Sequence, residues 1–265
     1  MCTLIALFGV TADVPLVVAA NRDEFYARPW APPAALADSP RIWGGRDLAK
    51  GGTWLGVTER GFFVGVTNQR SYGVADRTKR SRGQLVLGAL ATGSVDAARA
   101  MLLDVDAREY NPFNVLLGDA GALFVVYARG EARVTVEPLP PGIWVLNNDT
   151  IGSRDFPKAN RARDLVAPVA HEPWSSLAGK LEAALGDHDL PPLSDIPAPP
   201  SDAPFSRDVL RTLQAICVHT PVYGTSSASL LALGEGTVID YRFAGGPPCV
   251  TPFTSVTIPG APPPL

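Results

Sequence analysis

Two groups in the first twenty-four residues have the types and order for nucleophilic chemistry. Cys2 stands directly behind Met1, and Asn21-Arg22-Asp23-Glu24 follows two apolar runs. A small side chain at position two is the usual condition for removing the initiator, and removal would leave a thiol and a free α-amine on one carbon. An α-amine of pKa about 7.7 to 8.0 beside a thiol of about 8.5 is a base strong enough to generate thiolate near neutral pH. A cysteine there also suits the buried start of a strand. The three histidines, His171, His188 and His219, are scattered, so no histidine base is assigned. Each reads as a surface or turn residue, with His219, two places after Cys217, the one candidate for holding a ligand. Cys2, Cys217 and Cys249 are odd in number, widely spaced and without a CxxC pair, so neither a disulfide framework nor structural zinc is expected, and no metal ligands are assigned. Such usage suits a reducing, cytoplasmic compartment.

The elements that must position these groups follow from hydrophobic pattern. Thr3 to Phe8 and Val14 to Ala20 read as a hairpin, which would bring Cys2 beside Asn21-Arg22-Asp23 at the open end. Tyr26 to Pro40, rich in Pro and Ala, is expected to be an irregular loop. The glycine pairs at 44–45 and 51–52 flank Lys50, but GxxxxGK[ST] is absent and a strand follows, so they read as turn chemistry. A second hairpin is expected over Thr53 to Val57 and Gly61 to Asn68, and a solvated loop over Arg70 to Arg82. Helices are predicted over Gln84 to Ala91, Val95 to Leu103 with Ser94 as N-cap, Pro157 to Val166, Trp174 to Leu185 and about Ser206 to Ile216. Four neighbouring antiparallel strands are predicted from Phe113 to Asn147, a proline-rich loop over Leu190 to Pro204, and terminal strands from Ser227 to Ile258. Strands, then helices, then strands predict one α+β domain over residues 1–265 whose terminal segments share a sheet.

Cys2, the block NRDEFYARP from Asn21 to Pro29, GGTWLGV from Gly51 to Val57, Thr67-Asn68 and Tyr223-Gly224-Thr225 recur in this order in the NRDE family, also called the transport and Golgi organisation protein family. The chain resembles that family over nearly its whole length. The resemblance implies an N-terminal nucleophile hydrolase-like fold, a four-layer αββα sandwich of two antiparallel sheets between helices, remotely similar to the cholylglycine hydrolase and acid amidase group. By that similarity Cys2 is the nucleophile and Asp23 orders the α-amine or thiol. The turn Glu59-Arg60-Gly61 leads to Asn68 as one oxyanion donor, and Asn147 or Asn148 after Ile143 to Leu146 is the second. Amidases of that group usually carry Arg before the Asn-x-Asp segment. Here that place is Ala20, and Arg22 is expected on the opposite face of its strand. Many family members read YGTR where this chain has Tyr223 to Ser226.

Two functions follow from the resemblance. The first is Cys2-dependent hydrolysis of an amide or thioester of an acyl compound, requiring no cofactor. The second is non-catalytic binding of haem or an acyl lipid in the same cleft, with Cys2 and His219 as ligand candidates and Trp54, Phe62 and Phe63 as walls. Composition narrows the rest: 23 basic against 26 acidic residues, net charge −3, offer no surplus for a nucleic-acid partner. The first twenty residues lack a basic n-region, and Asp13 and Pro15 interrupt them, so neither a cleaved signal nor a membrane span is expected.

Overall fold

The alternation of buried side chains along the first two strands defines the layers. In β1 (Thr3–Phe8), Leu4, Ala6 and Phe8 enter one apolar cluster while Ile5 and Leu7 enter another. In β2 (Leu16–Phe25), Leu16, Val18 and Ala20 join the first and Val17 and Ala19 the second. Successive side chains point to opposite faces, so strands apolar on both faces must be covered on both. The first cluster continues into Trp43, Leu55, Phe63 and Leu116 of a facing sheet, and the second into Trp174, Leu177 and Leu181 of a helix. A third cluster sets Val64, Val115 and Val126 against Leu85, Leu90 and Leu102 of two further helices. Helix, sheet, sheet and helix therefore stack in that order. The computed structural model describes residues 2–71, 73 and 75–260. Met1, whose removal the sequence suggests, lies outside the described residues, as do positions 72 and 74 of the expected loop from Arg70 to Arg82.

The remaining strands are β3 (Trp30–Asp38), β4 (Arg41–Asp47), β5 (Leu55–Thr58), β6 (Phe63–Asn68), β7 (Phe113–Gly118), β8 (Leu123–Ala128), β9 (Thr135–Pro138), β10 (Gly142–Leu146), β11 (Tyr223–Gly234), β12 (Thr237–Ala244) and β13 (Thr254–Ser255). One antiparallel sheet runs β10-β1-β2-β11-β12-β13 and the other β3 through β9 in sequence order. The helices are α1 (Arg82–Ala91), α2 (Val95–Leu103), α3 (Pro157–Val166), α4 (Trp174–Leu185) and α5 (Arg207–Thr212). Ser94 caps α2 as expected, accepting from the Ala97 N–H. Among the described residues no helix is long and apolar enough to cross a membrane.

Five expectations about the fold are corrected. Tyr26 to Pro40 is not irregular: β3 occupies most of it as the edge strand of its sheet, and its register shifts between Ala31 and Ala34, where Pro32 and Pro33 sit. Proline donates nothing to a ladder, so an edge with an irregularity is where it fits. Gly44 and Gly45 lie within β4 rather than in a turn, whereas Gly51 and Gly52 do turn, at φ +72° and +80°. The strands from β7 to β10 are not four neighbours, because after β9 the Pro140-Pro141 pair lifts the chain off that sheet and β10 pairs with β1. The last helix is shorter than predicted and the terminal strand reduced to two residues.

Candidate active site

Cys2 immediately precedes β1 and is half-buried, its sulfur 3.9 Å from the Asp23 carbonyl oxygen. The pairing of Thr3 with Asn21 in the β1–β2 ladder, continued by one residue, sets Cys2 level with Arg22. Directly opposed residues in an antiparallel pair share a face. Arg22 in turn pairs with Ser227 of β11, and Cys2, Leu4, Ala20, Arg22, Trp54 and Ser227 line one pocket between the sheets. The space between these side chains is about 10 Å³, on the order of one water. The expectation that Arg22 turns away from the nucleophile is therefore wrong. Ala20 and Arg22 are two residues apart on a strand and share the cleft-facing side.

A β-bulge makes this arrangement fit. The β2–β11 register shifts between Thr225 and Ser227, leaving Ser226 as the extra residue. Its hydroxyl accepts from Arg22 Nη1 at 2.8 Å and donates to the Arg22 carbonyl at 3.1 Å. The guanidinium also stacks on Trp54, Cζ 4.5 Å from the ring centroid. Ser226, standing where YGTR would place an arginine, thus holds Arg22 instead. Burial is the largest influence on both ionisable groups here. It pushes the Cys2 thiol above its usual range, opposed in part by Arg22, and lowers Arg22, which Cys2 and Glu24 partly offset.

Asn21 and Asp23 face the opposite way, into the helical layer. Asn21 Nδ2 donates to the Leu185 and Ile216 carbonyls at 2.8 and 2.9 Å. The Asp23 carboxylate accepts from Thr225 Oγ1 at 2.7 Å and lies 3.5 Å from Lys158 Nζ, with both charged side chains wholly buried. Sequence reasoning missed Lys158. A lysine in the first turn of α3 opposes the helix dipole, and that was the available signal for a tertiary partner. Glu24 and Arg28 complete the motif's work, Arg28 bonding Asp47 of β4 at 2.7 Å.

The asparagines separate. Asn148 Nδ2 donates to the Asn68 carbonyl at 2.7 Å, tying the ends of β6 and β10 together across the two sheets, and the Asn68 residue itself is exposed. Asn147 is buried, its carbonyl accepting from Thr67 Oγ1 at 2.5 Å, while neither end of its side-chain amide has a hydrogen-bond partner among the described residues. Of the walls expected around Cys2, Trp54 lines the pocket, whereas Phe62 and Phe63 are packed in the third and first apolar clusters. His219 is not among the lining residues. It meets Cys217 and Cys249 instead, at 3.6 and 3.3 Å from Nε2 to each sulfur.

Two antiparallel sheets between helical layers, with a cysteine at position two opening a central strand into the inter-sheet cleft, define the class: this is an N-terminal nucleophile hydrolase fold. Solved structures agree. The C2A mutant of the conjugated bile acid hydrolase from Clostridium perfringens superposes with a TM-score of 0.55 at 12% identity, covering 98% of each chain. The Caenorhabditis elegans ortholog of N-acylethanolamine-hydrolyzing acid amidase gives 0.54 at 11% identity, covering 87% of this chain and 92% of that one. Within that class, the chain belongs to the Transport and Golgi organisation 2 family, whose model matches residues 1–241. The Transport and Golgi organization protein 2 homolog of Bos taurus is 28% identical over 257 residues, 88% of either chain. The human homolog is 29% identical over 234 residues, 82% of this chain and 81% of its own.

Proposed function

We propose that the chain is an N-terminal cysteine hydrolase acting on an amide or thioester of an acyl compound. The observation that carries the reading is the row Cys2, Arg22 and Ser227 on the cleft-facing side of one sheet, with the arginine locked by Ser226 and Trp54. A thiol held high by burial is a poor nucleophile at neutral pH. Loss of Met1 supplies the base it lacks. The α-amine takes the thiol proton, the thiolate attacks the acyl carbonyl, and the ammonium returns the proton to the departing amine or thiol. Water then cleaves the acyl-enzyme thioester, releasing the acid. Asp23, anchored by Thr225 and Lys158, orients the α-amine. Asn147 is taken as the oxyanion donor because its buried side-chain amide has no hydrogen-bond partner among the described residues, and such a donor is worth about 3 to 4 kcal/mol in the transition state. Asn148 is already committed to Asn68. The acyl group enters the cleft beside Trp54, which lines the pocket with Cys2. No cofactor takes part, and three free thiols suit a cytoplasmic setting.

Nothing specific favours haem: His219 is not among the residues lining the pocket and meets Cys217 and Cys249 instead. The test is an intact mass of protein expressed without an N-terminal tag, followed by a panel of N-acyl amides and S-acyl thioesters. A mass short by one methionine and acid release that disappears in Cys2→Ala are expected. Full retention of Met1, or turnover that survives Cys2→Ala, overturns the reading.

A further inference from the structure

Cys217 and His219 sit in the segment that leads into β11, His188 in the loop after α4, and Cys249 in the turn after β12. The fold brings one ligand atom of each within 4.8 Å of every other. We infer that these four residues form a structural zinc site of Cys2His2 type, separate from the Cys2 pocket.

The distances match a tetrahedron. Bonds of about 2.3 Å from zinc to sulfur and about 2.05 Å to nitrogen place two sulfurs about 3.8 Å apart and a sulfur and a nitrogen about 3.5 Å apart. The Cys217 and Cys249 sulfurs are 3.7 Å apart, and His219 Nε2 lies 3.6 Å from Cys217 Sγ and 3.3 Å from Cys249 Sγ. His188 is the looser corner, its ring centroid 5.0 Å from that of His219, and it is exposed and able to close the remaining gap. Its Nδ1 lies 3.1 Å from the Cys217 carbonyl oxygen. A proton on Nδ1 directed at that oxygen leaves the Nε2 lone pair for the metal, the usual outer support of a ligating histidine. Two thiolates and two imidazoles select zinc among common divalent ions, and four protein ligands close the coordination, which makes the site structural rather than catalytic. On binding, each thiol releases its proton and no redox step is needed.

The scaffold holds these residues in place without a metal. The Cys217 N–H donates to the Asp187 carbonyl at 2.8 Å, and a Cβ built on Gly186, at the end of α4, would stand 3.4 Å from the Cys249 Cα. The turn around Cys249 is closed by the N–H groups of Val250 and Thr251 on the Pro247 carbonyl. A bound ion would fasten this turn to the end of α4 and to residues 217–219. Val218 bonds Thr225 in both directions, and Thr225 holds Asp23.

The full chain, purified under reducing conditions without added chelator, is analysed for metal, then stripped and titrated with Zn²⁺ and with Co²⁺. About one zinc per chain is expected, with the visible ligand-field bands of tetrahedral cobalt and sulfur-to-cobalt charge transfer. Cys249→Ser and His219→Ala, both changes near the surface, should each weaken zinc binding at least tenfold, while Cys2→Ala leaves it unchanged. Cys217 is buried and its replacement is not relied on. Absence of stoichiometric zinc together with no tetrahedral cobalt spectrum, or a spectrum unaltered by Cys249→Ser, overturns the inference. So does a Cys217–Cys249 disulfide in protein that binds no zinc once reduced.

Discussion

Replacing Lys158 with methionine isolates the buried pair beneath the nucleophile. Lys158 is 1% exposed, and Nζ lies 3.5 Å from Asp23 Oδ2 and donates to the Leu213 and Ala215 carbonyls at 3.4 and 3.3 Å. Methionine fills nearly the same volume, so packing changes little and the effect is electrostatic. The Asp23 carboxylate keeps the Thr225 hydroxyl at 2.7 Å but loses its countercharge in a site shielded from water. Removing one member of a buried pair costs about 3 to 5 kcal/mol, a large share of a total stability of about 5 to 15. The carbonyls are no farther from Nζ than Asp23 is, but they are neutral, so the electrostatic share of that loss should depend on Asp23. Asp23→Asn keeps an acceptor for Thr225 and removes the charge, and the double variant should therefore cost at least about 2 kcal/mol less than the two single losses added. Urea unfolding followed by circular dichroism measures all three. A loss below about 1 kcal/mol for Lys158→Met, or strict additivity in the double variant, would refute the reasoning.

Burial holds the Cys2 thiol above its ordinary range, so in protein retaining Met1 its alkylation by iodoacetamide at pH 8 should be slower than that of an unfolded peptide thiol of pKa about 8.5. Because the folded value is the higher, this thiol supports the fold fully below the unfolded pKa, and the support fades as pH rises through the folded one. Cys2→Ser should flatten the alkaline fall in Tm, and an unchanged alkaline limb would count against it. Gly45→Ala would set a Cβ 2.1 Å from the Trp54 ring, forcing that ring off Arg22. A loss of about 1 to 3 kcal/mol with altered tryptophan emission is expected; a neutral substitution would show that Trp54 is not held there.

Much of the frame was legible because local signals and tertiary packing agree. α2, α3 and α4 begin and end where the pattern put them, marked by the Ser94 cap and by Pro157 at the helix start. Both early hairpins follow from apolar runs separated by turn residues. What failed depended on which sheet a strand joins, and sequence spacing does not encode that. β10 has the pattern of a fourth meander strand, but it carries the chain across the sandwich to β1. The Cys and His cluster was illegible for a similar reason. His188, Cys217 and Cys249 come from three separate connections, so no motif spacing announces them.

The Asn-Arg-Asp motif divides its work by strand alternation. Arg22 reaches the cleft where Cys2 opens, while Asn21 and Asp23 reach the helices: Asn21 to the end of α4 and to Ile216, and Asp23 to α3 through Lys158 and to β11 through Thr225. A strand is the element suited to this, because adjacent residues are driven to opposite sides while their backbone stays rigid. The arginine beside the thiol therefore cannot shift without disturbing the anchors on either side of it. Ile216 and Val218 flank Cys217, so the anchors of Asn21 and Asp23 share a segment with the proposed zinc ligands. Stability of the helical layer and geometry at Cys2 are thus properties of the same three residues. Substitutions at Asn21 or Asp23 should be judged first by unfolding and only then by activity.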